Sequence, residues 1–224
     1  MTLRMRRIAA GAAALAFLIG AGVLYRMEFV SLRTEGRRQE AAETYTKLSG
    51  LTVFGDETVR GRRVLAFADG RGTLGCVQFR RGLLGGWQAV GAGYSTGDIM
   101  RADRLRDVDA LAVYAAACPP EIARYKVQAN LENEETLMAE GEAAASGFLH
   151  IHETDRDYFP RIFFYGAAGD ELDGSAYQKS AGGTGIGTAE INMVYVLCAV
   201  LLGVGWLIVK YLWDGGKPRE KETA

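Results

Sequence analysis

The chain has 224 residues, of which 49% are apolar and 24% charged, and its net charge is −1. This composition excludes an intrinsically disordered chain, a collagen-like chain and a small disulfide-rich protein. The near-neutral charge gives no support for a nucleic-acid binder. The averages are typical of one soluble domain, but two almost uncharged segments near the ends carry much of the apolar content.

The first of these segments, residues 8–25, predicts a transmembrane helix. As a helix its 18 residues extend over about 27 Å, which is enough for a hydrocarbon core. The preceding residues 1–7 include Arg4, Arg6 and Arg7, so the alternative is a cleaved signal peptide. An uncleaved anchor is favoured, because the apolar run is long for a signal peptide and no small-residue cleavage site follows it.

The second segment, residues 191–213, predicts another transmembrane helix. Its only charge is Lys210, which can extend its ammonium group to the interface, where Tyr211 and Trp213 are also typical residues. Two spans put both termini on one side, and the flanking basic residues predict that this side is cytoplasmic. Residues 1–7 and 214–224 are then cytoplasmic and residues 26–190 extracytoplasmic at the cell membrane. Four arginines directly after the first span oppose this orientation.

Small residues recur at a spacing of four in both predicted spans, and such spacing lets helices approach closely in lipid. The pattern indicates either that the two helices pack on each other or that they bind a second copy or another membrane protein. The residues are Ala12, Ala16, Gly20, Ala199 and Gly203.

The region between the spans predicts a mainly β extracytoplasmic domain, built from antiparallel meanders or a sandwich, between two transmembrane α-helices. Residues 26–50 contain a membrane-proximal helix over 34–48, with Thr34 as its cap and Gly50 as its stop. Residues 51–109 form a first β meander with short Gly-containing turns. Its strands are predicted at 63–68, 73–81 and 87–94, followed by a charged connector over 103–109.

Residues 110–174 predict a second β sub-domain, and residues 175–190 a Gly- and Ser-rich tether. The two halves differ in charge: residues 26–109 carry 14 basic and 11 acidic side chains, against 5 and 13 in residues 110–190. This asymmetry suggests two sub-units of structure, but solvated surface with no partner is the favoured explanation. Strands are predicted at 111–117, 125–131, 136–140, 147–152 and 161–165.

Two short stretches resemble uncharacterised membrane-anchored proteins of Gram-positive bacteria. They are residues 117–127 (ACPPEIARYKV) and residues 159–165 with the turn at 169–172 (GDEL). The resemblance covers roughly residues 63–172 and implies a small extracytoplasmic β-domain whose short strands end at Asp or Gly turns. It implies a location and a fold but no activity. The excess of Arg over Lys departs from the Lys-rich composition of that family.

His150 and His152 are the candidate metal ligands. Residues two apart on a strand share a face, so both imidazoles point the same way. Carboxylates follow at Glu153, Asp155 and Asp157, and imidazoles with a carboxylate are able to hold Zn²⁺ or Cu²⁺. The alternative is a histidine pair on the solvated face of a strand.

The cysteines leave a further alternative open. Outside the cytoplasm Cys76 and Cys118 could pair, or both could remain buried thiols.

No catalytic residues, no cofactor and no enzymatic activity are expected, because the common catalytic motifs are missing from the sequence. The sequence predicts a two-pass membrane protein that presents a β-rich interaction or sensing domain. The alternatives are a scaffold subunit of an envelope or transport assembly and a metal-assisted extracytoplasmic enzyme that uses His150 and His152.

Overall fold

The computed structural model describes residues 2–105, 107–131, 134–154, 160–178 and 188–214. The chain forms two compact units. One contains Met1–Phe29 and Thr188–Ala224, and the other is Val30–Gly187. Several predicted features lie outside the described residues: Asp155 and Asp157, most of the tether, and all of the C-terminal tail except Asp214.

The first unit consists of two long helices, α1 (Leu3–Glu28) and α3 (Thr188–Trp213). Both are long and apolar enough to cross a membrane, and few of their apolar side chains are buried. A helix whose apolar side chains are exposed on most of its surface suits lipid better than water. The predicted pair of apolar helices is therefore present in the structure.

The two helices pack against each other within the chain. A Cβ added at Gly205 would lie 2.6 Å from Cγ of Phe17, and one added at Gly20 would lie 3.3 Å from Cδ2 of Leu201. Gly20 of the predicted small-residue pattern thus lies at this contact. The other residues of the pattern are exposed: Ala12, Ala16, Ala199 and Gly203.

The second unit begins with α2 (Glu35–Thr46), close to its predicted position. Thr34 caps it, because its side chain accepts a hydrogen bond of 3.4 Å from the backbone N–H of Arg37. Ala41 and Ala42 are buried against the sheet that follows. The small side chains on this face let the helix pack closely on the sheet.

The first sheet is antiparallel, with the strands in chain order. It contains the three predicted strands and one further strand that precedes them. At the turn between its second and third strands, the Asp69 carboxylate accepts hydrogen bonds of 2.8 Å from the backbone N–H groups of Arg71 and Thr73. The strands are β1 (Thr52–Val59), β2 (Arg62–Ala68), β3 (Thr73–Arg81) and β4 (Trp87–Thr96).

Two further antiparallel sheets follow. The middle sheet has the order β5-β6-β9, and the third has the order β11-β10-β7-β8. The middle strands are β5 (Arg101–Arg104), β6 (Ala110–Ala115) and β9 (Phe148–Glu153). The strands of the third sheet are β7 (Arg124–Leu131), β8 (Glu134–Glu142), β10 (Pro160–Tyr165) and β11 (Glu171–Leu172).

The predicted connector over 103–109 is wrong at its start. Asp103 and Arg104 belong to β5, where they pair with Ala112 and Leu111 of β6. Their charges predicted a loop, but each side chain forms an ion pair, with Arg101 and Asp109 respectively. Both charged residues can therefore lie in a strand.

Within this unit the elements stack as α2, first sheet, middle sheet and third sheet, with an apolar core at each junction. All residues of β6 are buried. Its alternate side chains enter different cores: Tyr114 faces the first sheet, and Val113 faces the third. The middle sheet therefore draws strands from both sides of the boundary predicted at 109/110.

The start of the predicted tether packs on the third sheet. Gly174–Ala176 forms a short 3₁₀ turn. The Tyr177 ring that follows lies 5.4 Å from the Phe164 ring, edge to face, and its hydroxyl donates to Glu121 at 3.2 Å.

Candidate functional site

His150 and His152 lie on β9, an edge strand of the middle sheet, on the face that is turned to the third sheet. They pair in register with Val113 and Leu111, whose side chains enter the same core. Both histidines are half-buried. The structure therefore brings the two imidazoles together, at the rim of a core between two sheets.

The Tyr125 hydroxyl lies between the two imidazoles. Its oxygen is 2.9 Å from Nδ1 of His150 and 2.8 Å from Nε2 of His152. Gly141, opposite Tyr125 on β8, leaves the necessary space, because a Cβ there would lie 2.5 Å from the hydroxyl oxygen. Sequence reasoning missed this third residue, although the alternation along β7 does place Tyr125 on the apolar face.

The three groups constrain each other's protonation. A phenol donates only one hydrogen bond, so Tyr125 donates to one imidazole nitrogen and accepts an N–H from the other. Burial raises the pKa of Tyr125, which keeps the hydroxyl protonated. Burial, and secondly the neighbouring His150, lower the pKa of His152. Tyr125 and His152 therefore both favour their neutral forms in this cluster.

The predicted carboxylate ligands do not join this cluster among the residues that the structure describes. Glu153 is exposed and forms an ion pair of 2.9 Å with Arg60, while Asp155 and Asp157 lie outside the described residues. Within the described part of the chain, no group of three His, Cys, Asp or Glu side chains is arranged to hold a metal ion. The metal site at His150 and His152 stays a prediction.

Metal binding at this cluster has a direct thermal test. If His150 and His152 hold a metal ion, Zn²⁺ or Ni²⁺ should raise the melting temperature of the full-length protein, because a ligand that binds only the folded state stabilises it. The His150→Ala variant should lose this shift, whereas Glu153→Ala should keep it. A wild-type melting temperature that does not change with either ion would contradict the metal prediction.

The lowered pKa of His152 also predicts how stability depends on pH. The unfolded state has the ordinary histidine pKa of 6.5 and takes up a proton before the folded state does, so acidification favours unfolding. The stability contribution of His152 is present above pH 6.5 and should be lost as the pH falls through its lower folded-state value. Urea unfolding at several pH values should therefore show a steeper loss for wild type than for His152→Gln. If the unfolding free energy falls equally with pH in wild type and in His152→Gln, His152 does not cause the acid sensitivity.

A second buried cluster is centred on the Asp103 carboxylate, between the first and middle sheets. Arg101 donates to it at 2.9 and 3.3 Å, and the Tyr114 hydroxyl donates a short hydrogen bond. Burial, followed by the charge of Asp103, raises the pKa values of Tyr114 and Cys76 well above their usual ranges. Both groups therefore remain protonated and unreactive, and the cluster is structural.

Cys76 and Cys118 are both buried and free in the structure. Cys76 lies in the core between the first and middle sheets, whereas Cys118 lies in the core between the middle and third sheets. The middle sheet separates them, so the structure places the two thiols in different cores. Burial raises the pKa of Cys118 to about 11.

The outer face of the third sheet carries a cavity of about 350 Å³. Its lining mixes the cations Arg124 and Lys126 with the carboxylates of Glu140 and Glu142. The Lys126 ammonium lies 5.2 Å from the centre of the Tyr165 ring, at a distance suited to a cation–π interaction. An aromatic ring and charges of both signs suit a small polar ligand or a peptide.

Comparisons with protein-family models, with curated proteins and with solved structures gave no match to this chain. The resemblance to membrane-anchored proteins of Gram-positive bacteria therefore stays a prediction.

Proposed function

We propose that the protein is a two-pass membrane protein that presents the unit Val30–Gly187 outside the cytoplasm as an interaction or sensing domain. The observation that carries this proposal is that an apolar helix is joined to each end of the β-rich unit. The apolar side chains that these helices expose need an apolar surrounding, and a bilayer provides it along the apolar part of both.

The proposed orientation rests on the basic side chains near the N-terminus of α1 and near the C-terminus of α3. Arg4, Arg6 and Arg7 precede the apolar part of α1. Lys210 lies in the last turn of α3, and Lys217, Arg219 and Lys221 follow it in the sequence. Both groups fall on one side of the membrane, and an excess of Arg and Lys is typical of the cytoplasmic side. The β-rich unit is then extracytoplasmic at the cell membrane.

Two features of the β-rich unit support an interaction or sensing role. The mixed-charge cavity on the third sheet is large enough for a small polar ligand. Protonation of His152 would change its hydrogen bond with Tyr125, so the cluster is able to respond to the pH outside the membrane.

Purification from the native membrane tests this function. The full-length protein is solubilised gently, and its partners and metal content are measured beside a Lys126→Ser, Tyr165→Ser variant of the cavity. A bound small molecule or peptide that the variant loses would support the proposal. Protein partners in fixed stoichiometry that the variant retains would favour the scaffold subunit. Metal in fixed proportion, lost in His150→Ala, would favour the metal-assisted enzyme.

A further inference from the structure

Two leucines at one hairpin tip stand out from the rest of the β-rich unit. Leu83 and Leu84 are 86% and 83% exposed, in a unit whose other large apolar side chains are mostly buried among the described residues. Two adjacent leucines in water forfeit the free energy that burial would supply. Their exposure is explained if an apolar surface covers them.

The tip is an ordered turn that projects both side chains outward. It joins β3 to β4, and the backbone N–H of Gly82 donates to the carbonyl of Gly86 at 3.1 Å. Gly85 also donates to the Gly82 carbonyl at 3.2 Å, and its positive φ of 84° suits glycine. The leucines are thus held at the end of a closed hairpin.

The covalent chain and the pairing of Val30 with Trp87 limit the distance of this tip from the end of α1 to about 25 Å. The backbones of Val30 and Trp87 exchange two hydrogen bonds, of 2.9 and 2.8 Å. Val30 is two residues past Glu28, the last residue of α1, so it lies within about 8 Å of it. Leu84 is three residues from Trp87 and therefore within about 11 Å of it. Chain length and this pairing thus limit how far the leucines can lie from the point where α1 would leave the membrane.

The chemistry around the tip suits a lipid interface. Arg80 and Arg81 precede the leucines, and no Asp or Glu occurs in the sequence between Asp69 and Asp98. Trp87 follows the turn and is half-buried. Apolar side chains beside arginines and a tryptophan are typical of segments that lie at the boundary between headgroups and acyl chains.

We propose that the Leu83–Leu84 turn inserts into the bilayer that α1 crosses, with the exposed Arg81 at the lipid headgroups. This inference rests on the proposed membrane anchoring and extends it, because it adds a third contact with lipid. The contact would fix the orientation of the β-rich unit relative to the membrane surface.

Depth-dependent fluorescence quenching in lipid nanodiscs tests this inference on the full-length protein. Cys198→Ala removes the thiol in α3, and the buried Cys76 and Cys118 are retained. A polarity-sensitive fluorophore is attached at Leu83→Cys, at Ile19→Cys within α1, or at Arg71→Cys. Arg71 is exposed just before β3, whose nine residues separate it from the tip by about 30 Å.

The Leu83 label should be blue-shifted and quenched by lipids that carry a spin label near the headgroup, whereas the Arg71 label should report water. When Leu84→Asp is added to the protein labelled at Leu83→Cys, quenching of the Leu83 label should fall to the level of the Arg71 label. The melting temperature should be unchanged.

A Leu83 label that behaves like the Arg71 label, while the Ile19 label is quenched, would overturn this inference but not the membrane placement. A blue shift without quenching by lipid would indicate a protein contact and would also overturn it. An unquenched Ile19 label would overturn both the inference and the membrane placement.

Discussion

Replacement of Arg101 by Leu should destabilise the β-rich unit by about 3 kcal/mol, because it leaves the Asp103 carboxylate without its cation. Arg101 and Asp103 are only 17% and 21% exposed, and Asp98 also lies 4.0 Å from the guanidinium. The measurement is urea unfolding of the full-length protein in nanodiscs, followed by near-ultraviolet circular dichroism.

Two controls sharpen this result. Arg37→Ala breaks the Arg37–Glu40 pair, whose side chains are 65% and 64% exposed, and should cost less than about 1 kcal/mol. Arg101→Leu combined with Asp103→Asn should be more stable than Arg101→Leu alone, because the uncompensated charge is gone while an oxygen remains for Tyr114. The contrary result is a double variant whose loss of unfolding free energy equals the sum of the losses in Arg101→Leu and Asp103→Asn. It would show that the uncompensated charge is not responsible.

Phe67→Ala and Phe164→Ala should each destabilise the unit by about 3–5 kcal/mol, since each removes a fully buried ring. The two rings lie in different cores, against α2 and between the middle and third sheets. The first sheet packs on both α2 and the middle sheet, and the middle sheet also packs on the third sheet. Because each sheet thus shares a core with the next, both variants should lower the midpoint of one common unfolding transition. Two separate transitions, each shifted by only one variant, would instead indicate two independent sub-domains within residues 51–174.

Local signals made much of the secondary structure predictable. The helix over 34–48 depends on a cap at Thr34, and the turn at Asp69–Gly70 depends on the carboxylate of Asp69, so neighbouring residues are enough to predict them. The apolar helices are equally local, because a long uncharged run is itself the signal. The alternation along β7 placed Tyr125 on an apolar face for the same reason.

The order of the strands depends on contacts between distant residues and was not predictable in this way. β6 pairs with β9, more than 30 residues later in the chain, and no local pattern specifies this choice. The meeting of Tyr125 with His150 and His152 follows from the packing of β7 over β9, so the sequence offered two histidines but not their partner. Asp103 was misplaced because its charge was taken as the sign of a loop, whereas Arg101 on the same strand neutralises the carboxylate. The Tyr114 hydroxyl that also binds it comes from a different strand.

The central claim is that both helices cross the membrane and that the β-rich unit lies outside the cytoplasm. Labelling of intact cells with a membrane-impermeant maleimide tests it most directly, in full-length protein that carries Cys198→Ala and a single added thiol. Arg71→Cys should react in intact cells, whereas Thr2→Cys should react only after the membrane has been permeabilised. Reaction of Arg71→Cys only after permeabilisation, or of both thiols in intact cells, would contradict the account.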